Sequence, residues 1–344
     1  MKVGMIGLPG SGKSTIFQAL VQQGKEIVQK GPNRIGTVRV PDVRVDELHS
    51  RYRPKKTIYA QVEYFLPGGL GHKKENIYDP TIWPRIRESD ALIHVVRNFG
   101  GIGLPDPTPD QDFYQLDQEL VFADLVVLEK RLTRLSLDKK RGVKNNPKEL
   151  NVLMECQKLL DNGIPLRKST EISTTRLLKG YAFVSAKPIL VLFNNTDEDD
   201  QLPKIEDFTS SEDCMVIRGK LEQELSQMPD EEAKEFLKEF DISASAMARV
   251  IKRSYTLLGL VSFFTVGSDE VKAWTIKAGT KAVDAAGVIH SDIKKGFIRA
   301  EVLSYEDLMD AGSYQEAKKR GTIRLEGKNY MVMDGDIIEF RFNI

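Results

Sequence analysis

The sequence predicts an α/β fold that carries an inserted antiparallel helical hairpin and is followed by a smaller α+β domain. Three observations carry the prediction. The stretch Gly7-Leu-Pro-Gly-Ser-Gly12-Lys13-Ser14-Thr15 lies between a strand-like run, Lys2-Val-Gly-Met-Ile6, and a helix-like run, Ile16-Phe-Gln-Ala-Leu-Val21. Apolar residues at three-four spacing then fill two segments between 116 and 160, and from about Gly259 the chain turns β-rich.

The first stretch is a phosphate cradle. Glycine, four residues, then Gly-Lys-Ser at a strand-to-helix turn is the P-loop pattern, and here it stands in the required order. Glycines let the backbone N–H groups turn inward, and the helix that follows offers the positive end of its dipole. Gly7, Pro9, Gly10, Ser11, Gly12, Lys13, Ser14 and Thr15 are therefore the expected phosphate-binding residues. Lys13 reaches the β- and γ-phosphates as a point charge, and the Ser14 hydroxyl is the expected ligand of Mg²⁺.

The segment from 24 to 36 reads as a polar, glycine-bearing loop. It holds no threonine, and Thr37 is the nearest candidate for a second metal ligand. Residues 37–40 and 61–66 alternate as paired strands. A triphosphatase of this type wants an Asp at the end of the second strand, then two residues and a glycine. The run here is Leu66-Pro-Gly-Gly69: the glycine stands in place, the carboxylate does not. Nucleotide binding is expected to survive where hydrolysis does not.

A short helix end at 84–90 precedes a buried strand at 91–96 that contains His94, read as a packed, hydrogen-bonded core histidine rather than a general base. Leu116, Leu120, Ala123, Val127, Leu128, Leu132 and Leu135, then Leu150, Leu153, Met154, Gln157 and Leu160, define two helices folded back on each other about a polar break at 142–147. The tip carries Lys139, Lys140, Arg141 and Lys144, and a solvated turn and a polyanion contact account for it equally well. A strand at 186–193 ends in Asn194-Asn-Thr-Asp-Glu198. Asn194 with Asp197 keeps the spacing of a guanine-reading Asn-Lys-x-Asp, and Asn195 with Glu198 fits an Asn-x-x-Glu register, so all four are base-binding candidates and the base stays open. A strand at 214–217 and an acidic helix around 228–236 close this region. Beyond 259, strands are expected at 261–265, 271–276, 296–302, 322–325, 328–332 and 336–342, with one helix near 282–289.

Composition narrows the function. Acidic and basic residues balance at 50 each, so any polyanion contact must be local. Cys156 and Cys214 lie far apart without metal-ligand spacing, which fits packing roles in a reducing compartment. Apolar runs are too short for a membrane span and the N-terminus leads straight into the cradle strand, so a cytoplasmic protein without membrane contact is expected.

The residues resemble the YchF, or Obg-like ATPase, group of translation-factor-class P-loop proteins. The resemblance is carried by the cradle, by Ile86-Arg-Glu-Ser-Asp-Ala-Leu-Ile-His-Val-Val-Arg97, by Glu270-Val-Lys-Ala-Trp-Thr-Ile276, by Lys295-Gly-Phe-Ile-Arg-Ala-Glu-Val302 and by Asp334-Gly-Asp-Ile-Ile-Glu-Phe-Arg-Phe342, and it covers essentially the whole chain. It implies a G domain over 1–110 and 180–256, a helical (coiled-coil) insertion over 111–179, and a ubiquitin-like TGS domain over 257–344. It also implies ATP or GTP with Mg²⁺ as ligand, a ribosome or RNA partner met at a groove between domains, and a monomer. The chain departs from the family's pattern where chemistry is concentrated. Gln29 stands where the switch threonine belongs, Leu66 replaces the switch aspartate, and the loop histidine after the Val-Val-Arg strand has no counterpart. The leading expectation is a nucleotide-regulated ribosome- or RNA-associated factor with weak or absent hydrolysis, and no catalytic residue is assigned. An active Mg²⁺-dependent ATPase or GTPase and a nucleotide-independent adaptor are the alternatives.

Overall fold

The computed structural model describes residues 1–23, 33–68, 82–101, 103–205, 212–239 and 245–343. Twelve strands occur among them: β1 (Lys2–Ile6), β2 (Arg34–Arg39), β3 (Lys56–Ile58), β4 (Gln61–Leu66), β5 (Ala91–Asn98), β6 (Ile189–Asn195), β7 (Asp213–Ile217), β8 (Leu260–Val266), β9 (Glu270–Lys277), β10 (Phe297–Ser304), β11 (Arg324–Glu326) and β12 (Asp336–Phe342). They form two six-stranded sheets, ordered β2-β4-β1-β5-β6-β7 and β11-β10-β12-β8-β9-β3. The chain divides into two compact units, residues 1–37 with 63–247, and 38–62 with 248–344.

In the first unit β1, β4, β5, β6 and β7 run parallel. Every residue of β6 and the first seven of β5 are buried, as a sheet covered by helices on both faces requires. β1 lies in the middle of this sheet, with Val3 opposite both Tyr64 of β4 and Ala91 of β5, so the turn at its C-terminal end falls where such sheets bind ligands.

The expected hairpin is present as two helices, Pro109–Lys140 and Pro147–Asp161. Leu128, Leu135, Leu153, Cys156 and Leu160 pack in one cluster with Leu166 and Phe183, which gives Cys156 the packing role its spacing suggested. Met154 is exposed, because one helical turn places Cys156 rather than Met154 on the inner face with Leu153 and Leu160. Two buried carboxylates bind the hairpin into the unit. Asp124 accepts from Arg87 at 2.7 Å and from the backbone N–H groups of Val184 and Ser185, while Asp117 pairs with Arg167 at 2.8 Å. Lys139, Lys140, Arg141 and Lys144 all lie exposed at the tip.

In the second unit the strands fall as read, with two corrections. Residues 328–332 form no strand: the N–H of Tyr330 bonds Gly327, that of Val332 bonds Thr280, and the carbonyl of Tyr330 receives the N–H of Ala282 at the start of helix Ala282–Ile289. The last two bonds make a single antiparallel bridge between Lys281 and Met331 at the helix start, and no strand extends from it. Tyr330 also donates to Asp336 at 2.7 Å, which fixes the turn before β12. The expected single helix is accompanied by Ser291–Lys295, Tyr305–Ala311 and Tyr314–Arg320, the last two capped by Ser304 and Ser313. Helix Val43–Tyr52 and β3 belong to this unit: β3 pairs in parallel with β9, and Arg44 bonds Asp42 and Asp334 at 2.8 Å each while stacking over Phe264.

Candidate nucleotide site

The site is built upward from β1. At the strand's end Gly7 passes so close to β5 that a Cβ there would stand 2.5 Å from the Val95 carbonyl, and 2.7 Å from Ser11 Oγ. Gly12, with φ of +87°, enters the helix Lys13–Gln23 in a backbone conformation that side-chained residues rarely take. A Cβ on Gly12 would also fall 2.1 Å from Asn194 Nδ2. Between them the N–H of Ser11 turns onto the Leu8 carbonyl at 3.2 Å, with Pro9 and Gly10 exposed at the bend. The loop closes into a nest whose shape depends on bare backbone at both ends.

Lys13 is 7 % exposed and donates to the Leu8 carbonyl at 2.9 Å, folded over its own loop. One of its three ammonium donors is thereby used. Burial pushes its pKa down to about 8. The Ser11 hydroxyl is buried with no hydrogen-bond partner among the described residues. Thr15, the third residue of the helix, is half-buried.

Across the sheet, the end of β6 and the turn after it carry the four residues of the two expected registers. Asn194 Nδ2 donates to the Ser11 carbonyl at 3.1 Å and its Oδ1 accepts the Gly219 N–H at 2.9 Å, so one amide joins the phosphate loop to the start of helix Gly219–Gln227. Asp197 sits at that same helix start, accepting the Leu221 N–H at 3.2 Å. Asn195 turns away: it donates to the Gln201 carbonyl at 2.8 Å and accepts from Asn98 at 2.9 Å. Glu198 is exposed on the following turn. The structure thus bonds Asn194 to the cradle and places Asp197 at the start of the helix that Asn194 also meets, while the bonds of Asn195 go to Asn98 and Gln201.

The metal side differs from the sequence pattern. Thr37 lies inside β2, while the residue delivered to Ser14 is Arg34, whose guanidinium donates to Ser14 Oγ at 2.8 Å. Leu66, at the end of β4, is 2 % exposed and apolar. Asn33 joins the two strand ends, accepting the Gly68 N–H at 3.1 Å and Arg85 at 2.8 Å. Gln29 and Gly69 lie outside the described residues. Among the described residues no three of His, Cys, Asp and Glu gather as a metal site. Nothing in the sequence signals the Arg34 contact, because it joins residues twenty positions apart without a motif.

His94 pairs in register with Ile6 beneath the loop and stacks on Phe113 at 5.3 Å. It is a core residue, but neither ring nitrogen has a hydrogen-bond partner among the described residues, so the hydrogen-bonded part of the expectation is corrected. Burial and the nearby Arg167 and Lys13 charges hold it neutral, with a pKa pushed down to about 3. Arg97 at the far end of β5 is spent on the carbonyls of Phe99, Pro105 and Asp106, which shape the loop beside Gly12. Elsewhere Arg218 bonds the Asp197 carbonyl, Lys294 pairs with Asp284, and Lys295 with Asp292.

Comparison with known proteins follows the same division. The family model YchF-GTPase_C, described as a protein of unknown function (DUF933), matches residues 260–343. "Ribosome-binding ATPase YchF" of Bacillus subtilis is 37% identical over 366 residues, covering 100% of both chains. The chain belongs to the YchF family. The Escherichia coli O157:H7 protein of the same name is 35% identical over 100% of this chain and 99% of its own. The solved YchF GTPase of Schizosaccharomyces pombe superposes with a TM-score of 0.87 at 27% identity, over 99% of this chain and 97% of that one. A GTP binding protein from Pyrococcus horikoshii shares the fold at a TM-score of 0.59 and 19% identity. A P-loop α/β unit with a second sheet-bearing unit is therefore the family architecture, and YchF membership covers the whole chain.

Proposed function

We propose that this YchF chain binds a nucleoside triphosphate or diphosphate at Gly7, Pro9, Gly10, Ser11, Gly12, Lys13, Ser14 and Thr15, and acts as a nucleotide-regulated, ribosome- or RNA-associated factor with weak or absent hydrolysis. The single observation that carries it is the closed nest from Gly7 to Ser14, with Lys13 folded over it and the Ser11 hydroxyl buried inside it without a partner among the described residues. A nest of inward N–H groups at a helix start, with an ammonium at its rim, is suited to a polyphosphate. The base lies toward Asn194 and Asp197, the two residues joined to the loop and to the helix start at Gly219. Relatives named ribosome-binding ATPases support the macromolecular partner.

Slow chemistry rests on the switch side. Mg²⁺ arriving with a nucleotide has Ser14 Oγ as its one protein ligand in the cradle, and that oxygen already accepts from Arg34. Leu66 supplies neither charge nor lone pair. The described residues therefore do not fit a firmly held metal, and no step is assigned to one. The proposal extends to domain limits of 1–110 with 180–256, 111–179 and 257–344, the last read as a TGS module. It extends also to a cytoplasmic monomer, in keeping with the absence among the described residues of a helix long and apolar enough to cross a membrane.

The test is calorimetric titration of ATP and GTP into wild type and Lys13→Ala. Wild type binds and the variant loses at least about tenfold in affinity, as removal of a charge-assisted phosphate contact implies. Equal, negligible affinity in both proteins overturns the reading.

A further inference from the structure

Ser14 is the residue through which a P-loop meets a divalent ion, and in this chain a cation of the protein's own reaches it. Arg34 opens β2 and donates from a guanidinium nitrogen to Ser14 Oγ at 2.8 Å. Its guanidinium carbon stands 5.5 Å from the ring centroid of the buried Phe17, one turn further along the same helix. Two contacts, one polar and one with the ring, thus fix the charge against the cradle wall. None of the described carboxylates pairs with it. Its positive charge is left for an anion, and the nearest anion-shaped feature is the nest that Ser14 closes.

We propose that Arg34 is the resident cation of the cradle, taking the electrostatic place of the divalent metal at Ser14, so that the nucleotide is bound without Mg²⁺. The inference rests on the nucleotide-binding reading above. A guanidinium has five donors in a planar fork matched to phosphate oxygens; one is used on Ser14, and the rest are available to the ligand. The bond also changes what Ser14 offers. A hydroxyl that accepts from Arg34 still has its own proton to give, so Ser14 becomes a donor to a phosphate oxygen rather than a lone pair for a metal. A divalent ion entering beside the guanidinium meets like charge, with no carboxylate at Leu66 to offset it. The three changes at this wall, Arg34 inward, Leu66 apolar and Ser14 engaged, act in one direction.

The experiment is ATP titration of the full chain in excess Mg²⁺ and in EDTA, for wild type, Arg34→Met and Lys13→Ala. Met keeps an apolar stem over Phe17 and removes the charge. Wild type is expected to bind within about threefold under the two conditions. Arg34→Met is expected to bind roughly 10- to 100-fold more weakly than wild type in EDTA, the range of a lost charge-assisted bond, and to regain affinity when Mg²⁺ is added. A wild type that loses about tenfold or more on chelation overturns the proposal, as does an Arg34→Met protein that matches wild type in EDTA. Should thermal unfolding show Arg34→Met to be misfolded, Arg34→Lys is read instead. It is expected to keep most of the metal-independent binding, and loss of that binding by a folded Arg34→Lys counts against the charge. Wild type binding only with Mg²⁺ removes the role of Arg34 alone, whereas wild type indistinguishable from Lys13→Ala in both conditions removes the nucleotide reading and this inference with it.

Discussion

Along the loop from Gly7 to Ser14 the cradle is made of backbone, whereas at the ends of β2 and β4 it is made of two side chains, Arg34 and Leu66. The first wall is held by close approaches that leave no room for a Cβ: Gly7 against Val95, Gly12 against Asn194. Its donors are peptide N–H groups, which every residue but proline carries, so their chemistry changes only if the path of the chain changes. The second wall depends on what each side chain is. One carboxylate replaced by leucine and one guanidinium brought onto Ser14 rewrite its electrostatics and leave the sheet intact. Recognition of phosphate and action on phosphate are thus encoded by different kinds of constraint, and this chain keeps the first while altering the second.

The comparison is broken most severely at Gly12. Gly12→Val places branched carbon where Asn194 Nδ2 stands, at a φ that valine resists, and ATP affinity by calorimetry is expected to fall on the order of 100-fold or more. A smaller effect is expected at the other wall. Leu66→Asp restores the carboxylate of the sequence pattern at a buried position, and urea denaturation should report about 3 kcal/mol or more of lost stability unless Arg34 turns to meet it.

His94 sharpens the comparison from beneath. Its folded-state pKa of about 3 lies below its ordinary value of 6.5, so the stability it contributes is complete above 6.5 and is lost as pH falls toward 3. At pH 5 the loss is about 2 kcal/mol. His94→Leu removes that dependence, so the difference between its denaturation midpoints at pH 8 and pH 5 should be smaller than in wild type. The mildest effect concerns Lys13, whose pKa of about 8 leaves the free protein's ammonium partly discharged in weak alkali. Below that value the phosphates meet a charged lysine; above it each binding event takes up a proton, and ATP affinity is expected to fall toward tenfold per pH unit. A flat affinity between about pH 7 and pH 9 would show that Lys13 does not carry the contact.

The backbone-made wall was legible in the sequence, and the side-chain-made wall only by its gaps. A P-loop is read from glycine spacing because the geometry and the residue type are locked together, and β1, the cradle and the helix Lys13–Gln23 stand where the spacing put them. Leu66 was visible as a missing acid. Arg34 was not visible at all, since its partner is chosen by how β2 returns across the P-loop helix. The two base registers were equal in spacing. In the structure Asn194 spans Ser11 and Gly219, while Asn195 bonds Asn98 and Gln201, a difference that spacing does not carry. In the second unit, β12 was read to the residue from its alternation, whereas 328–332 alternates equally well and yet donates its backbone to a helix start. The helices Tyr305–Ala311 and Tyr314–Arg320 are too short for a periodic signal, and their serine caps were the only cue.

The short β3 has a consequence for anyone cutting this protein. It is the outermost strand of the second sheet and covers the free side of β9 at Glu270, Val271 and Lys272, although some two hundred residues separate the two in the chain. A fragment beginning at 257 would carry β8 to β12 and leave out both β3 and the helix Val43–Tyr52. The flank of β9 would then be an open row of peptide donors and acceptors, a template on which a second molecule can add a strand. What looks like a detachable C-terminal module by sequence is closed by a piece of chain threaded in from far upstream.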